Sequence, residues 1–183
     1  MPFTFENTNL SGVILCKPRI FADDRGYFFE SWNQRDFMEA GILTTFVQDN
    51  QSASVKDTLR GLHYQTKPFQ QAKLIRVLSG SVLDCAVDLR PHSPTYKKHL
   101  LYKLTSEKGE SLYIPEGFAH GFRVLSDRAV VLYKASEFYS PEHDRGISWD
   151  DPDLNIDWGI ESPILSEKDK KQPRLRNIDH AEL

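Results

Sequence analysis

The sequence predicts a mostly-β sandwich or barrel, and three observations carry that prediction. Short runs of β-type composition recur along the chain, turn residues separate them, and one helix is well signposted among them. About ten runs at this spacing fit a sandwich or barrel better than alternating βαβ units.

In chain order the runs cover residues 12–20, 27–32, 44–47, 58–65, 73–78 and 81–89, then 98–104, 111–114, 120–125 and 129–135. The helix follows the second run. Asn33 can cap it, Asp36 sits three residues on, and Gly41 closes it after Phe37, Met38 and Ala40. Ser79-Gly80 lies between two strongly apolar runs and reads as a tight hairpin. Within the second of these, Leu83, Cys85, Val87 and Leu89 share a face, and Val82, Asp84, Ala86 and Asp88 share the other. The first face is core; the second is partly polar and either lines a cavity or meets water. A second, shorter helix is expected from Ser166, with Asp169 at the capping-box position. The highly charged residues 168–183 are expected to be partly loose.

Bulk properties fit a single domain. A chain of 183 residues buries roughly two-thirds or more of its unfolded surface, so it needs no disulfide or metal staple. Apolar residues make up 39% and charged residues 27%, as in ordinary globular proteins. Net charge is −3, the pI is about 6.1, and no tail carries a block of like charge. Neither nucleic acid nor an anionic membrane is therefore an expected partner. Cys16 and Cys85, the only cysteines, sit in apolar strand-like runs and read as buried thiols. Residues 1–10 lack a basic region followed by an apolar core, and no run approaches the roughly 18 apolar residues of a membrane span. The cytoplasm is the default location.

Several segments carry chemistry, each with a plainer alternative. In Arg60-Gly61-Leu62-His63-Tyr64, the histidine is either a satisfied strand residue or a base. The nearby guanidinium suits an anion pocket. Strict alternation puts Arg60 and His63 on opposite faces, unless Gly61 marks a bulge that re-aims one of them. Lys73 opens an apolar strand and is either a solvated strand end or an oxyanion stabiliser. After Pro115-Glu116-Gly117, a strand carries His120, Phe122 and Val124 on one face. Tyr133 shares a face with Ala129, Val131 and Ala135, as a packed aromatic with its hydroxyl at the rim. Asp23 and Asp24 read as loop acids.

Taken in order, these segments resemble the dTDP-4-dehydrorhamnose 3,5-epimerase family. The resemblance rests on Asp24-Arg25-Gly26-Tyr27-Phe28-Phe29-Glu30-Ser31, Val47-Gln48-Asp49-Asn50, Leu59-Arg60-Gly61-Leu62-His63-Tyr64-Gln65 and Ala72-Lys73-Leu74-Ile75-Arg76. It continues through Ile114-Pro115-Glu116-Gly117-Phe118-Ala119-His120-Gly121-Phe122, Leu132-Tyr133-Lys134 and Leu165-Ser166-Glu167-Lys168-Asp169. The match spans nearly the whole chain.

The resemblance implies one cupin jelly-roll domain over residues 1–183, with an N-terminal arm, a few short helices and a short C-terminal helical segment. It implies a cytoplasmic homodimer that epimerises dTDP-4-dehydro-6-deoxy-D-glucose at C3 and C5, without a cofactor, in dTDP-L-rhamnose biosynthesis. His63 corresponds to the family's base, Asp169 to its carboxylate partner, Tyr133 to the proton donor on the opposite sugar face, and Lys73 to the group holding the enolate at O4. Arg25, Glu30, Gln48, Asp49, Asn50, Arg60, Lys73, His120 and Lys168 correspond to nucleotide-sugar contacts, part of them reaching the partner's pocket. Tyr139 corresponds to an aromatic face for the thymine. Asp144 stands at a binding position where relatives usually have glutamate. Enzymes of this kind that invert only C3 or only C5, or that isomerise the keto group, fit the same motifs.

Two rivals remain. A metal-dependent cupin such as a dioxygenase uses a His-x-His pair, a later glutamate and a final histidine. Here His63-Tyr64-Gln65 lacks the second histidine, and Lys73 occupies the glutamate position. An ammonium repels a metal ion, so no metal site is expected. A non-catalytic sugar-nucleotide binding module has no need of a base and an acid together, and His63, Lys73, Tyr133 and Asp169 are all present.

Overall fold

A computed structural model describes residues 2–179. Met1 and residues 180–183, the end of the charged stretch expected to be loose, lie outside the described residues. Two antiparallel sheets face each other as a jelly roll. The first has six strands in the order β1 (Phe3–Asn7), β2 (Ile14–Pro18), β10 (Ser111–Ile114), β7 (Lys73–Ser79), β12 (Arg128–Ala135) and β5 (Gln48–Val55). The second has five, in the order β13 (Asp144–Gly146), β6 (Leu59–Gln65), β11 (Phe118–Val124), β8 (Ser81–Asp88) and β9 (His99–Thr105). A separate hairpin pairs β3 (Phe21–Asp23) with β4 (Gly26–Phe28).

Three apolar clusters hold these layers. Between the sheets lie Leu15, Ile75, Val77, Val82, Ala86, Phe122, Val124 and Val131. Behind the five-stranded sheet, Leu62, Cys85, Val87 and Leu89 pack on Leu154, Trp158 and Leu175 of the C-terminal segment. Both faces of β8 are thus covered, so Asp84 and Asp88 on its partly polar face are wholly buried. The Asp151 carboxylate, 2% exposed, ties that cover down by accepting from the backbone N–H groups of Asp153, Leu154 and Leu175 at 2.8, 3.3 and 2.7 Å. The third cluster docks α1 (Gln34–Glu39), through Phe37, on Phe3, Cys16, Leu74 and Tyr113. Asn33 caps α1 by accepting from the Asp36 N–H, and Gly41 follows its end with a φ of +86°, as expected.

Other expectations need correcting. The chain does not turn back on itself at Ser79-Gly80: β7 and β8 belong to different sheets, so Gly80 is a corner between layers. Its φ is +78°, and a Cβ there would stand 2.2 Å from the Arg128 carbonyl oxygen, so both the conformation and the space require glycine. Two apolar strands joined by a short turn look the same in sequence whether they pair or face each other. Residues 44–47 form no strand; the strand is the polar β5 that follows, on a sheet edge and held to β12 over its full length. Its alternation of partly buried and exposed residues is hidden in sequence because six of its eight residues are polar. β1 and β13 also escape a reading based on apolar runs, and the strand expected over residues 27–32 shrinks to β4. The helix expected from Ser166 is a single 3-10 turn, Asp169–Lys171.

Candidate active site

A cavity of about 370 Å³ opens between the two sheets. The six-stranded sheet contributes Asn50 from β5, Lys73 from β7 and Tyr133 from β12; the five-stranded sheet contributes Arg60, His63, His120, Phe122 and Asp144. Asp169 and Ser166 enter from the C-terminal segment.

Arg60 and His63 share this cavity because β6 is bulged. His120 of β11 lies opposite His63, and Phe122 lies opposite Arg60, so two residues of β6 are accommodated against one of β11. Gly61 sits at the irregularity with a φ of +114°, and a Cβ there would approach the Gly121 Cα to 2.6 Å. The extra residue restores both side chains to the interior, as the Gly61 reading anticipated.

His63 Nε2 lies 2.5 Å from Asp169 Oδ1, and Asp169 is 3% exposed. Burial would raise the Asp169 pKa, but the hydrogen bond and charge of His63, with Ser166 and Lys168, hold it below the usual range. An ionised Asp169 accepts from Nε2–H, which leaves Nδ1 as the ring atom able to take a proton. The two sequence readings of Asp169 coexist: its other oxygen accepts from Ser166 Oγ at 2.8 Å, while its backbone N–H donates back at 3.1 Å.

Lys73 is 9% exposed. Burial pushes its pKa down to about 8, against the upward pull of the Asp144 and Asp84 carboxylates. It therefore remains largely charged at neutral pH, with Nζ 5.8 Å from the centre of the Tyr133 ring. Burial, helped by Asp144 and opposed by Arg60, raises the Tyr133 pKa, so the hydroxyl keeps its proton. His63 and Tyr133 thus stand on facing sheets.

At the rim, Tyr139 Oη donates to Asp144 Oδ2 at 3.0 Å, and Lys168 Nζ donates to the same oxygen. The Tyr139 N–H donates to Gln48 Oε1 at 3.0 Å, and Gln48 Nε2 donates to Asn50 at 2.9 Å. Arg25, Glu30 and Asp49 do not reach this cavity within the chain. Arg25 pairs with Asp23 at 2.6 Å on the β3–β4 hairpin, Glu30 accepts from Asn33 at 2.7 Å, and Asp49 faces away toward Lys134 at 3.0 Å.

Two further residues escaped assignment. Asp84, wholly buried, lies 2.9 Å from His120 Nε2 through Oδ2; its only signal was an acid on the inward face of an apolar strand. Gln65, 6% exposed, uses its amide to accept from the Ser140 N–H at 2.7 Å and to donate to the Phe69 and Phe138 carbonyls at 2.6 and 3.1 Å. It fastens the loop bearing Tyr139 to the strand bearing His63. Among the described residues no group of three or more His, Cys, Asp or Glu side chains is arranged to hold a metal ion, and no helix is long and apolar enough to cross a membrane.

Comparison with known proteins agrees on one family. The family model described as dTDP-4-dehydrorhamnose 3,5-epimerase matches residues 7–177. A dTDP-4-dehydrorhamnose 3,5-epimerase of Pseudomonas aeruginosa is 52% identical over 91% of this chain and 93% of its own length. One from Methanothermobacter thermautotrophicus is 49% identical, covering 95% of each. The crystal structure of a dTDP-6-deoxy-D-glucose-3,5-epimerase from Legionella pneumophila, in complex with dTDP-4-keto-L-rhamnose, superposes with a TM-score of 0.95 at 42% identity, over 99% of this chain and 97% of that one.

Proposed function

The chain belongs to the dTDP-4-dehydrorhamnose 3,5-epimerase family, and from that premise we propose how its cavity inverts two carbons of a keto sugar. The protein is an isomerase that converts dTDP-4-dehydro-6-deoxy-D-glucose to dTDP-4-dehydro-L-rhamnose, for dTDP-L-rhamnose biosynthesis. The ketone at C4 acidifies the hydrogens on C3 and C5. His63, oriented by Asp169, takes a proton at one of these carbons; the C–H pair becomes the enolate π bond and the carbonyl pair moves to O4. Lys73 donates to that oxygen as its charge grows. Tyr133 returns a proton to the same carbon from the other side, and the carbonyl reforms. After His63 gives up its proton to solvent and Tyr133 regains one, repetition at the second carbon completes the product. Each cycle moves one proton on and one off, so no electrons are exchanged with a cofactor.

The observation that carries this reading is the placement of His63 and Tyr133 on facing sheets, with the Lys73 ammonium in the same cavity. Inversion requires a base and an acid on opposite faces of the ring. Proton NMR of the dTDP-4-keto-6-deoxyglucose reaction in deuterated water tests it: deuterium entry and inversion at both C3 and C5 are expected. Exchange at one carbon alone would reduce the activity to single-site epimerisation.

In this reading Arg60, His120 and Lys168 take the diphosphate and sugar oxygens, Gln48, Asn50 and Asp144 the nucleoside end, and Tyr139 the thymine face. Arg25, Glu30 and Asp49 serve a partner subunit. Phe21, Tyr27 and Phe28, at 49, 68 and 68% exposure, leave the hairpin that bears Arg25 with an apolar surface suited to a second copy. Light scattering at twice the 21.1 kDa chain mass is the expected result; a monomer at working concentration would remove those three residues from the site. Residues 1–183 then act as one cupin domain, and the two unpaired buried cysteines suit the reducing cytoplasm.

A further inference from the structure

Asp84 is not among the groups the reaction uses, yet it is a carboxylate with no exposed surface in the middle of β8. Fold stability does not account for it. An apolar side chain beside Val82 and Ala86 would fill the interior without removing a charge from water. The carboxylate is also only half satisfied. Oδ2 lies 2.9 Å from His120 Nε2, whereas Oδ1 has no hydrogen-bond partner among the described residues.

We propose that Asp84 is a positioning residue for the epimerisation, fixing the His120 imidazole with Nε2–H directed into the barrel and supplying the counter-charge that holds the Lys73 ammonium in the cavity. The proposal rests on the reaction assigned above. It explains both oxygens: one sets the tautomer and ring orientation of His120, leaving Nδ1 as the atom that meets the sugar. The other accepts no hydrogen bond among the described residues, and the carboxylate's charge acts on the buried Lys73.

Charged and titratable groups line the cavity that holds Lys73: Arg60 and His63 of β6, His120 of β11, Tyr133 of β12, Asp144 of β13, Tyr139 from a loop and Asp169 from its 3-10 turn. Asp84 of β8 lies behind His120, wholly buried, and acts on Lys73 through its charge. Only Asp84 and Asp144 act on Lys73 as anions. Asp144 is engaged at the rim by Lys168 and Tyr139. Asp84 has no such cation of its own. The depressed Lys73 pKa of about 8 is therefore already held up in part by Asp84, and removing that charge lowers it further.

The test is Asp84→Asn, with solvent exchange at C3 and C5 followed against pH. Turnover is expected to fall about 10- to 100-fold, the size of one charge-assisted hydrogen bond, with KM changed little. The alkaline limb of the exchange profile should move down by about one pH unit. A packing role alone moves stability but leaves that limb in place. A profile superimposable on wild type, with turnover within about two-fold, overturns the proposal. Should the variant fail to fold, the wild-type chain decides: ¹⁵N ring shifts of His120, assigned with His120→Gln, should show Nε2 protonated. A bare Nε2 would place the shared proton on Asp84 and overturn the assignment. Absence of exchange in wild type itself would instead remove the reaction, and with it any role for Asp84.

Discussion

The mouth and the floor of one cavity carry the same chemical pair in two forms. At the mouth, the His63 side chain is 33% exposed, and its carboxylate comes from a 3-10 turn more than a hundred residues away. At the floor, the His120 side chain is 8% exposed and its carboxylate stands on the adjacent strand β8. The two histidines are cross-strand neighbours, so their surroundings rather than their positions separate them. In the proposed reaction the exposed imidazole is the one placed to exchange protons, and the buried one is held for orientation. On that reading the pair alone does not make a base; its access to solvent sets the two apart.

Mutations break or sharpen this contrast by differing amounts. The largest effect is expected for His63→Asn. Exchange and inversion at both carbons should drop at least 10³-fold, within the range for a general base, while calorimetry still shows dTDP binding. Near-normal exchange in that variant would move the base elsewhere, and the floor histidine would be the first candidate. Lys73→Met should cost roughly 10²–10³ in turnover, as for one oxyanion donor; a loss of a few-fold would make it a strand end. Its ionisation also sets a pH limit. With the pKa depressed to about 8, the donating ammonium is intact below that value and lost as pH rises through it. The wild-type exchange rate should therefore decline above about pH 8, and a rate flat to pH 10 would deny Lys73 the role.

Tyr133→Phe separates removal of a proton from its return. Deuterium uptake should survive while net inversion falls by about 10²-fold, since the phenyl ring keeps its packing beside Val131. Equal loss of both would put the hydroxyl in the abstraction step. The smallest effect is expected for Ser166→Ala, which removes two hydrogen bonds, one to Asp169 Oδ2 and one from the Asp169 N–H. Turnover should decline several-fold and stability by about 1 kcal/mol. An unchanged pair of values would show that the turn orients Asp169 through its backbone alone.

Much of this was legible in the residues. The apolar strands, the capped helix and the ordered motifs read directly, because each depends on local periodicity or on a few neighbouring side chains. β5 did not, because an edge strand with six polar residues in eight offers little apolar signal. The corner at Gly80 was misread for a different reason: pairing is a property of sheets, not of the turn between two strands. Asp169 offered two readings, and sequence had no means to show that each carboxylate oxygen serves one of them. Asp84 was seen only as an acid in an apolar strand. Its meaning depends on His120, thirty-six residues on, arriving beside it.

The two glycines at the β6–β11 bulge give the site an unusual kind of fragility. A Cβ on Gly61 would meet Gly121 at 2.6 Å, and one on Gly121 would meet the Arg60 carbonyl oxygen at 2.6 Å. Both clashes are with backbone atoms that any residue carries, so no change at one position relieves the other. His63 and His120 flank this contact, one on each strand. The spacing between His63 and His120 is therefore set by packed backbone. Substitutions at the rim leave this contact untouched, whereas a side chain at either glycine would push the two strands apart.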